Sequence, residues 1–225
     1  MRVELYDGQG SVELIDTMGT DATPVASARV STAREGITGA DTARDARLIT
    51  YLAHHEHLSP FEHVAATVRI VCPLFIARQV MRHRTFSFNE ISRRYTDENV
   101  TLWRPATLRA QSETRLQCSS DALLDDDETD ALLSAYDASI ASALGLYHHM
   151  IERGVARELA RAVLPQSMMT TFWMSGSLRN WAHFIRLRAD AHAQPEAAEL
   201  ATAVRDILRD HFPRSVDALL GASHE

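Results

Sequence analysis

The sequence predicts an α+β fold in which a modest sheet forms early and helices dominate the second half of the chain. Residues Val64–Val71 alternate between apolar and more polar side chains, which is typical of a strand with one buried face. Stretches of the second half instead repeat apolar residues at helical spacing, and glycines and prolines separate them. Nothing resembling a linker divides the chain, so we expect one domain spanning residues 1–225.

The elements of the first half can be predicted in order. They are short strands at Arg2–Tyr6 and Ser11–Ile15, a helix at Ala43–His54 capped by Asp41 or Thr42, the strand Val64–Val71, a helix from Pro73 to about Arg84, and a loop at Thr85–Ser92. Proline suits the first turn of a helix, where its missing N–H has no partner within the helix. On that predicted helix, Gln79 and Arg82 are three residues apart and share a face.

The second half predicts four helices, which are Asp137–Arg153, Ala156–Leu164, Ser177–His192 and Glu196–His211. Gly154 ends the first of these, because glycine readily adopts the left-handed conformation that closes a helix. Pro165 ends the second, since the residue before a proline disfavours helical geometry. The acidic stretch before Asp137 is interpreted as an exposed loop that enters the helix, where carboxylates favour the positive end of the helix dipole.

Composition excludes several classes of chemistry. All 23 basic residues are arginine, which excludes Schiff-base lysine chemistry and a Walker-type phosphate loop. The net charge of −7 argues against broad nucleic-acid binding. No apolar run approaches the roughly 20 residues of a membrane helix, and Met1–Leu5 does not resemble a signal peptide. We therefore expect a cytoplasmic protein.

The two cysteines, Cys72 and Cys118, have neither metal-ligand spacing nor a disulfide framework. Four histidines lie in the ten residues His54–His63, but the HExxH pattern is absent because Ser59 stands where the second histidine would be. We predict no metal site here. A site assembled from several loops, which would make the protein a metalloenzyme, is the alternative.

The most informative segment is Arg82–Tyr95, fourteen residues with the pattern RHRxxSxNxxSxRY. From Arg78 to Arg94 there are five arginines and one acid, a local charge of +4 in an acidic chain. Arginine offers a planar fork of donors that matches phosphate oxygens, so the segment predicts an anionic ligand such as a nucleotide. On charge alone, a solvated basic loop that binds nothing remains the alternative.

Three further segments carry polar groups in fixed patterns. They are the histidine-rich segment with its HxSPFEH ending, the segment from Arg157 to Pro165 with its RxxLP ending, and Ser177–Gln194 with its RLRADAHAQ ending. In the second, Arg157 and Arg161 share a helical face, and Arg157 is interpreted as solvated beside Glu158. In the third, Arg179, His183 and Arg186 share one face of the predicted helix, while Trp181 and Phe184 are expected in the core.

Together these segments make the chain resemble the flavin-dependent thymidylate synthases over about residues 1–215. The resemblance implies the α+β fold of that family, with a central, mainly antiparallel sheet and a helix-rich C-terminal half. It also implies a homotetramer with active sites at subunit interfaces. From the net charge and the lack of a long apolar run, we expect no nucleic-acid and no membrane partner. The implied reaction is reductive methylation of dUMP to dTMP, with 5,10-methylenetetrahydrofolate as one-carbon donor and FAD reduced by NADPH.

The resemblance also assigns residues by position. Those expected to contact dUMP are Gln79, Arg82, Glu90, Ser92, Arg93, Arg94, Arg161 and Arg188. Those expected to contact FAD are Ser59, Arg82, His83, Arg84, Glu90, Ser177, Arg179 and His183. Arg188 and His57 are the expected catalytic residues. Arg93 stands where the family usually has a small residue that acts through its backbone, so the side chain of Arg93 is expected to point away. Ser177 stands where the family commonly has an asparagine, and a serine lacks the paired donor and acceptor of the asparagine amide.

The chemistry fits these residues. Methylation at uracil C5 requires an electron-rich carbon, which a cysteine nucleophile provides in conventional synthases. Neither cysteine lies in one of the motifs, so we predict that an arginine stabilises the negative charge that develops at N3 and O2. Ser92 is interpreted as a substrate hydrogen-bonding residue, with no relay to make it a nucleophile. The alternative function is a non-catalytic nucleotide- or RNA-binding protein that uses the same arginines.

Overall fold

The computed structural model describes residues 1–31, 43–114 and 119–221. It is an α+β protein, as predicted, built on an antiparallel five-stranded sheet. The strands are β1 (Arg2–Leu5), β2 (Gly10–Met18), β3 (Ala65–Pro73), β4 (Ser87–Glu90), β5 (Arg109–Gln111), β6 (Ser119–Leu123) and β7 (Met169–Ser177). The larger sheet has the order β1-β2-β3-β7-β4, and β5 pairs with β6 in a separate two-stranded sheet.

The helices are α1 (Ala22–Val30), α2 (Ala43–His54), α3 (Leu74–Val80), α4 (Asp126–Glu152), α5 (Arg157–Ala160), α6 (Leu178–Arg188), α7 (Pro195–His211) and α8 (Pro213–Gly221). Short 3-10 helices cover Ser59–His63 and Arg161–Val163. Within the described parts of the chain, no helix is both long and apolar enough to cross a membrane. The residues group into two compact units, a first unit of Met1–Ile70, Met81–Asn89 and Phe172–Glu225, and a second unit of Val71–Val80 and Glu90–Thr171.

The first strands form a hairpin whose turn uses left-handed backbone. β1 and β2 pair antiparallel from Arg2 opposite Glu13 to Leu5 opposite Gly10. Tyr6 and Asp7 in the turn have φ angles of 55°. The side chain of Tyr6 is buried, and its hydroxyl donates to the carbonyl oxygen of Glu196 at 3.1 Å. This bond ties the hairpin to α7.

The alternation predicted around Val64–Val71 is confirmed, although the strand runs from Ala65 to Pro73. Ala66, Val68, Ile70 and Cys72 are buried, whereas the residues between them are partly exposed. This burial is the expected pattern for a strand with one face on the core.

The core of the first unit forms where α6, α7 and α8 pack against one another. Trp181, Phe184, Leu200 and Phe212 are almost completely buried there. The indole N–H of Trp181 donates to the carbonyl oxygen of Ala66 at 3.2 Å, which satisfies its polar group inside the core. α6 is thereby fixed on β3, and its outer face is available for function.

The second unit contains the long helix α4. It begins earlier than predicted, at Asp126, because the side chain of Asp125 accepts a hydrogen bond from the backbone N–H of Glu128 at 2.8 Å and caps it. The acidic run is therefore largely the first turn of the helix instead of a loop. Gly154, with a φ of 81°, follows the helix end, as predicted.

Several other predicted elements are corrected. The helix after Pro73 ends at Val80, so Arg82 lies in the following turn and does not share a helical face with Gln79. The predicted loop Thr85–Ser92 contains β4. The predicted helix Ala156–Leu164 divides into α5 and a 3-10 turn. The predicted Ser177–His192 helix ends at Arg188. The proposed caps Asp41 and Thr42 lie outside the described residues.

Candidate active site

The arginine-rich segment Arg82–Tyr95 begins in a turn, continues through β4 and ends in a second turn. Arg82, Arg84 and Arg94 are exposed, as an anion-binding segment requires. His83 differs from them, because only 8% of its surface is exposed. The segment therefore presents three of its four arginines outward, while the imidazole of His83 and the side chain of Arg93 are packed inward.

The imidazole of His83 lies against Arg188, the last residue of α6. The guanidinium Nε of Arg188 donates to Nε2 of His83 at 3.0 Å. The pKa of His83 is lowered from 6.5 to about 4, mainly by burial and then by the charge of Arg188 and the nearby His183. A neutral imidazole whose Nε2 accepts this bond carries its proton on Nδ1. Burial also lowers the pKa of Arg188.

A cavity of about 640 Å³ lies in the first unit beside α6. Its lining comprises Glu56, Leu58, Glu62, Thr85, Arg179, Asn180, Ala182, His183, Arg186 and Leu219. Arg179, His183 and Arg186 all contribute, which confirms their predicted common face on the helix. The volume falls within the roughly 300–1,000 Å³ typical of sites for small molecules and cofactors.

Two polar interactions connect residues that line the cavity. The guanidinium of Arg179 forms an ion pair with the carboxylate of Glu62. The side-chain amide of Asn180 donates to the carbonyl oxygen of Thr85 at 2.8 Å. Sequence reasoning assigned no role to Glu62, Asn180 or Arg186, although Glu62 belongs to the HxSPFEH segment, which was a usable signal.

Ser177 has a local structural task. It precedes α6, and its hydroxyl accepts a hydrogen bond from the backbone N–H of Asn180 at 3.4 Å, so it serves as the N-cap. Ser177 is not among the residues that line the cavity. Its expected FAD contact stays a prediction.

His57 and Ser59 lie in the turn and 3-10 helix after α2, and both are exposed. The rings of Tyr51 and His57 are 6.0 Å apart in an edge-to-face arrangement, and His55 lies 4.3 Å from Tyr51. Glu56 between the histidines has a φ of 55° and lines the cavity. Among the residues that the structure describes, no three or more His, Cys, Asp or Glu side chains are grouped to hold a metal ion.

The second unit carries Gln79, Glu90, Ser92, Arg93, Arg94 and Arg161. Glu90 accepts a hydrogen bond at Oε1 from the hydroxyl of Thr170 at 2.6 Å. The hydroxyl of Ser92 accepts from the backbone N–H and from Nε of Arg94, both at 3.3 Å. Gln79 is partly buried on α3. The Ser92 oxygen thus accepts two hydrogen bonds from Arg94, which agrees with its interpretation as a hydrogen-bonding residue.

Arg93 points into the protein, in agreement with the expectation for its side chain. Only 5% of it is exposed, and its two terminal nitrogens donate to the carbonyl oxygens of Glu98 at 2.5 Å and Asn99 at 3.2 Å. These bonds fix the loop that follows Ser92. Any contact of Arg93 with a ligand therefore depends on its backbone.

Arg161 is exposed at the start of the second 3-10 helix, and its Nε donates to the carbonyl oxygen of Glu158 at 3.4 Å. Arg157 is exposed, in agreement with its interpretation as a solvated surface residue, but its ionic partner is Asp97 instead of Glu158. Arg157 pairs with Asp97 at 3.1 Å, and this hydrogen bond is the main cause that lowers the pKa of Asp97. A contact between residues so distant in sequence leaves no local signal.

Comparison with known proteins places this fold and site in a class. The family model described as thymidylate synthase complementing protein matches residues 13–214. A flavin-dependent thymidylate synthase of Thermus thermophilus is 42% identical over 206 residues, which is 91% of this chain and 73% of that protein. The Kosmotoga olearia flavin-dependent thymidylate synthase is 37% identical over 217 residues, covering 96% of this chain and 92% of that protein.

A solved structure of a related methylase is also similar to this chain. The UMP/dUMP methylase PolB from Streptomyces cacaoi, bound with 5-Br dUMP, superposes with a TM-score of 0.85 at 30% identity and covers 97% of each chain. Fold and site thus define an α+β enzyme of the Thy1 type. The chain belongs to the flavin-dependent thymidylate synthase family.

Proposed function

We propose that the protein methylates dUMP reductively to dTMP, with 5,10-methylenetetrahydrofolate as the one-carbon donor and FAD reduced by NADPH. The observation that carries the proposal is the arginine-rich segment Arg82–Tyr95, within a chain that matches the family over residues 13–214. The Streptomyces methylase was solved with 5-Br dUMP, which supports a pyrimidine nucleotide as the ligand.

The cavity beside α6 suits FAD. Arg179 and Arg186 supply positive charge for a pyrophosphate, and Glu56 and Glu62 supply acceptors for ribose hydroxyls or an amino group. When bound, FAD supplies the redox chemistry of the reaction. The FAD contacts proposed from the family resemblance are Ser59, Arg82, His83, Arg84, Glu90, Ser177, Arg179 and His183, and the cavity lining adds Arg186, Glu56 and Glu62 to them. Because Arg179 pairs with Glu62, its use by the pyrophosphate requires that this ion pair rearrange or be shared.

We assign the dUMP contacts to Gln79, Arg82, Glu90, Ser92, Arg93, Arg94, Arg161 and Arg188. Arg161 is proposed for the phosphate, since its side chain is exposed and a guanidinium binds phosphate oxygens in a fixed geometry. Arg93 is proposed to act through its backbone, because its side chain is committed to Glu98 and Asn99.

The proposed base activation needs no protein thiol. Cys72 is completely buried, and burial raises its pKa far above the physiological range, with the charge of Glu90 adding to the effect. Such a cysteine stays a thiol, which is a poor nucleophile. Arg188 is instead proposed to stabilise the charge that develops on the pyrimidine. His57, exposed beside Tyr51, is the second proposed catalytic residue.

We also propose a single domain that assembles into a homotetramer with active sites at subunit interfaces. Large apolar side chains on the surface support an interface. Tyr95 is 77% exposed and Leu159 is 62% exposed, and Leu132 and Leu146 on α4 are 46% and 49% exposed. We propose that these side chains belong to the interface, since contiguous exposed apolar areas commonly mark sites of association. Light scattering of the purified protein measures the assembly directly.

The absorbance spectrum of the purified protein is the first test, because bound flavin absorbs visible light. The second is anaerobic reduction by NADPH, followed by dUMP and methylenetetrahydrofolate, with flavin oxidation and dTMP measured. UMP belongs in a parallel reaction, since the Streptomyces relative is described as a UMP/dUMP methylase. Colourless protein that binds RNA without forming dTMP would favour the alternative function.

A further inference from the structure

The contact between His83 and Arg188 has a consequence for the reaction itself. Arg188 is the last residue of α6, so no following turn of that helix lies beside its long side chain. Arginine has several rotatable bonds, and ordering them has an entropic cost. A hydrogen bond at Nε fixes the plane of the guanidinium, because Nε lies within that plane.

We propose that His83 is a positioning residue for Arg188, and that its imidazole holds the guanidinium plane in the orientation that meets the pyrimidine. The proposal rests on the proposed function, in which Arg188 activates the base. His83 does not itself touch the reacting atoms in this role.

The surroundings of His83 suit this task. Its ring packs edge-on against the buried ring of Phe184, with 5.0 Å between centroids, and lies 6.1 Å from the ring of His183. These contacts come from the same helix that ends in Arg188. A ring clamped in this way presents Nε2 in one direction.

The protonation state of His83 also suits the positioning of Arg188. A protonated imidazole has no lone pair to accept from Arg188 and would repel the guanidinium. With a pKa of about 4, set mainly by burial and then by Arg188 and His183, His83 is neutral at neutral pH. The imidazole can therefore accept the hydrogen bond from Arg188 at neutral pH.

The test compares two replacements of His83 in the flavin-loaded enzyme. His83→Gln retains an acceptor close to the position of Nε2, whereas His83→Phe keeps the ring and removes the acceptor. Because His83 is also proposed to contact FAD, the comparison is made at saturating FAD. We expect His83→Phe, once loaded with FAD, to keep NADPH reduction and dUMP affinity within about threefold, and to lose about 10–100-fold in the rate of dUMP-dependent flavin oxidation, as misplaced catalytic groups do. His83→Gln should recover most of that rate. His211→Phe, an exposed histidine at the end of α7, is the matched control.

A double-mutant cycle separates positioning from a general structural role. In an Arg188→Ala background, His83→Phe should cause no further loss, because the group that it positions is gone. Additive losses would overturn the proposal. So would normal turnover in His83→Phe, or a loss of turnover that excess FAD fully restores, which would make the imidazole a flavin contact only.

The contact between His83 and Arg188 can also be tested without measuring activity. NMR of protein carrying ¹³C-labelled histidine should show a neutral His83 with its proton on Nδ1 and a pKa that rises in Arg188→Ala. A pKa unchanged by that substitution contradicts the contact, whether or not His83→Phe folds. If instead the wild-type protein forms no dTMP while the titration behaves as expected, the proposed function fails and the contact stands.

Discussion

The hydroxyl of Thr170 donates to Oε1 of Glu90 at 2.6 Å, and the two residues differ sharply in exposure. Thr170 is buried, with 3% of its surface exposed, whereas Glu90 is exposed at the end of β4. A rigid donor in β7 therefore fixes one carboxylate oxygen of a residue proposed to contact both dUMP and FAD. A hydrogen bond to a charged group contributes about 1.5–3 kcal/mol, enough to select one orientation of the carboxylate.

Thr170→Val should consequently impair function with little change in fold. Valine has the same shape and suits a strand, but it leaves Glu90 without its donor. We expect kcat/KM for dUMP to fall about 10-fold or more, as loss of a charged hydrogen bond predicts. Thr170→Ser should retain most of the activity, and Thr171→Val, on the opposite face of the same strand, is the control. Equal kinetics for Thr170→Val and wild type would show that this bond does not orient Glu90.

Activity should not depend on a protein thiol. We expect a variant with both Cys72→Ala and Cys118→Ser to turn over dUMP while it binds FAD normally. Because Cys72 is completely buried, its truncation should cost about 1 kcal/mol or more of stability. Complete loss of turnover in a folded, FAD-bound double variant would refute the thiol-free mechanism. Cys118 lies outside the described residues, so only the Cys72 half of this prediction has a structural argument.

Elements with a clear local repeat of apolar residues could be predicted from the sequence. The end of α2 at His54 agrees with the prediction, since strong helical periodicity continues to that residue. The alternating residues of β3 and the shared face of Arg179, His183 and Arg186 follow from the same repeats. By contrast, β7 was missed because Met169–Ser177 contains serines and a glycine, and its strand character depends on neighbouring strands.

Contacts between distant segments could not be predicted from local sequence. The bond between His83 and Arg188, the pair of Arg157 and Asp97, and the bond from Thr170 to Glu90 each join residues at least 60 positions apart. Their partners are ordinary residue types that also occur on exposed surfaces. The resemblance of the motifs indicated which residues matter, whereas the structure shows what holds them.

Stability should decrease as the pH falls through the range set by His83. The folded-state pKa is about 4 and the ordinary value is 6.5, so the unfolded chain binds a proton in this interval that the folded protein excludes. Stability from this group is complete above about pH 6.5, declines toward pH 4, and changes no further below it, for a loss of up to about 3 kcal/mol. Denaturant titrations at several pH values measure this slope. His83→Phe should flatten it, and an equally steep profile in that variant would assign the slope to other groups.

Arg161→Ala should weaken dUMP binding more than it slows the chemical step. The exposed guanidinium is proposed to bind the phosphate, which does not change during the reaction, so its contribution is the same in the ground and transition states. We expect a loss of about 1.5–3 kcal/mol, seen mainly as a higher KM for dUMP. Arg153→Ala, which removes an exposed arginine at the end of α4, is the control. Unchanged affinity for dUMP would exclude Arg161 from the phosphate site.

Arg188→Ala should strongly reduce product formation while the enzyme keeps its flavin. A guanidinium does not give up its proton at physiological pH, so Arg188 acts as a fixed positive charge and donor and not as a base. Its effect should grow as negative charge develops at N3 and O2, and loss of one such preorganised donor commonly costs about 10²–10³ in rate. The variant should stay yellow and be reduced by NADPH, yet form almost no dTMP at saturating dUMP. Arg188→Lys should recover little, because an ammonium supplies neither the planar fork nor the Nε donor that His83 engages. Near-normal turnover in the alanine variant would overturn the assignment, and the activating group would then have to be sought among Arg82, Arg94 and His57.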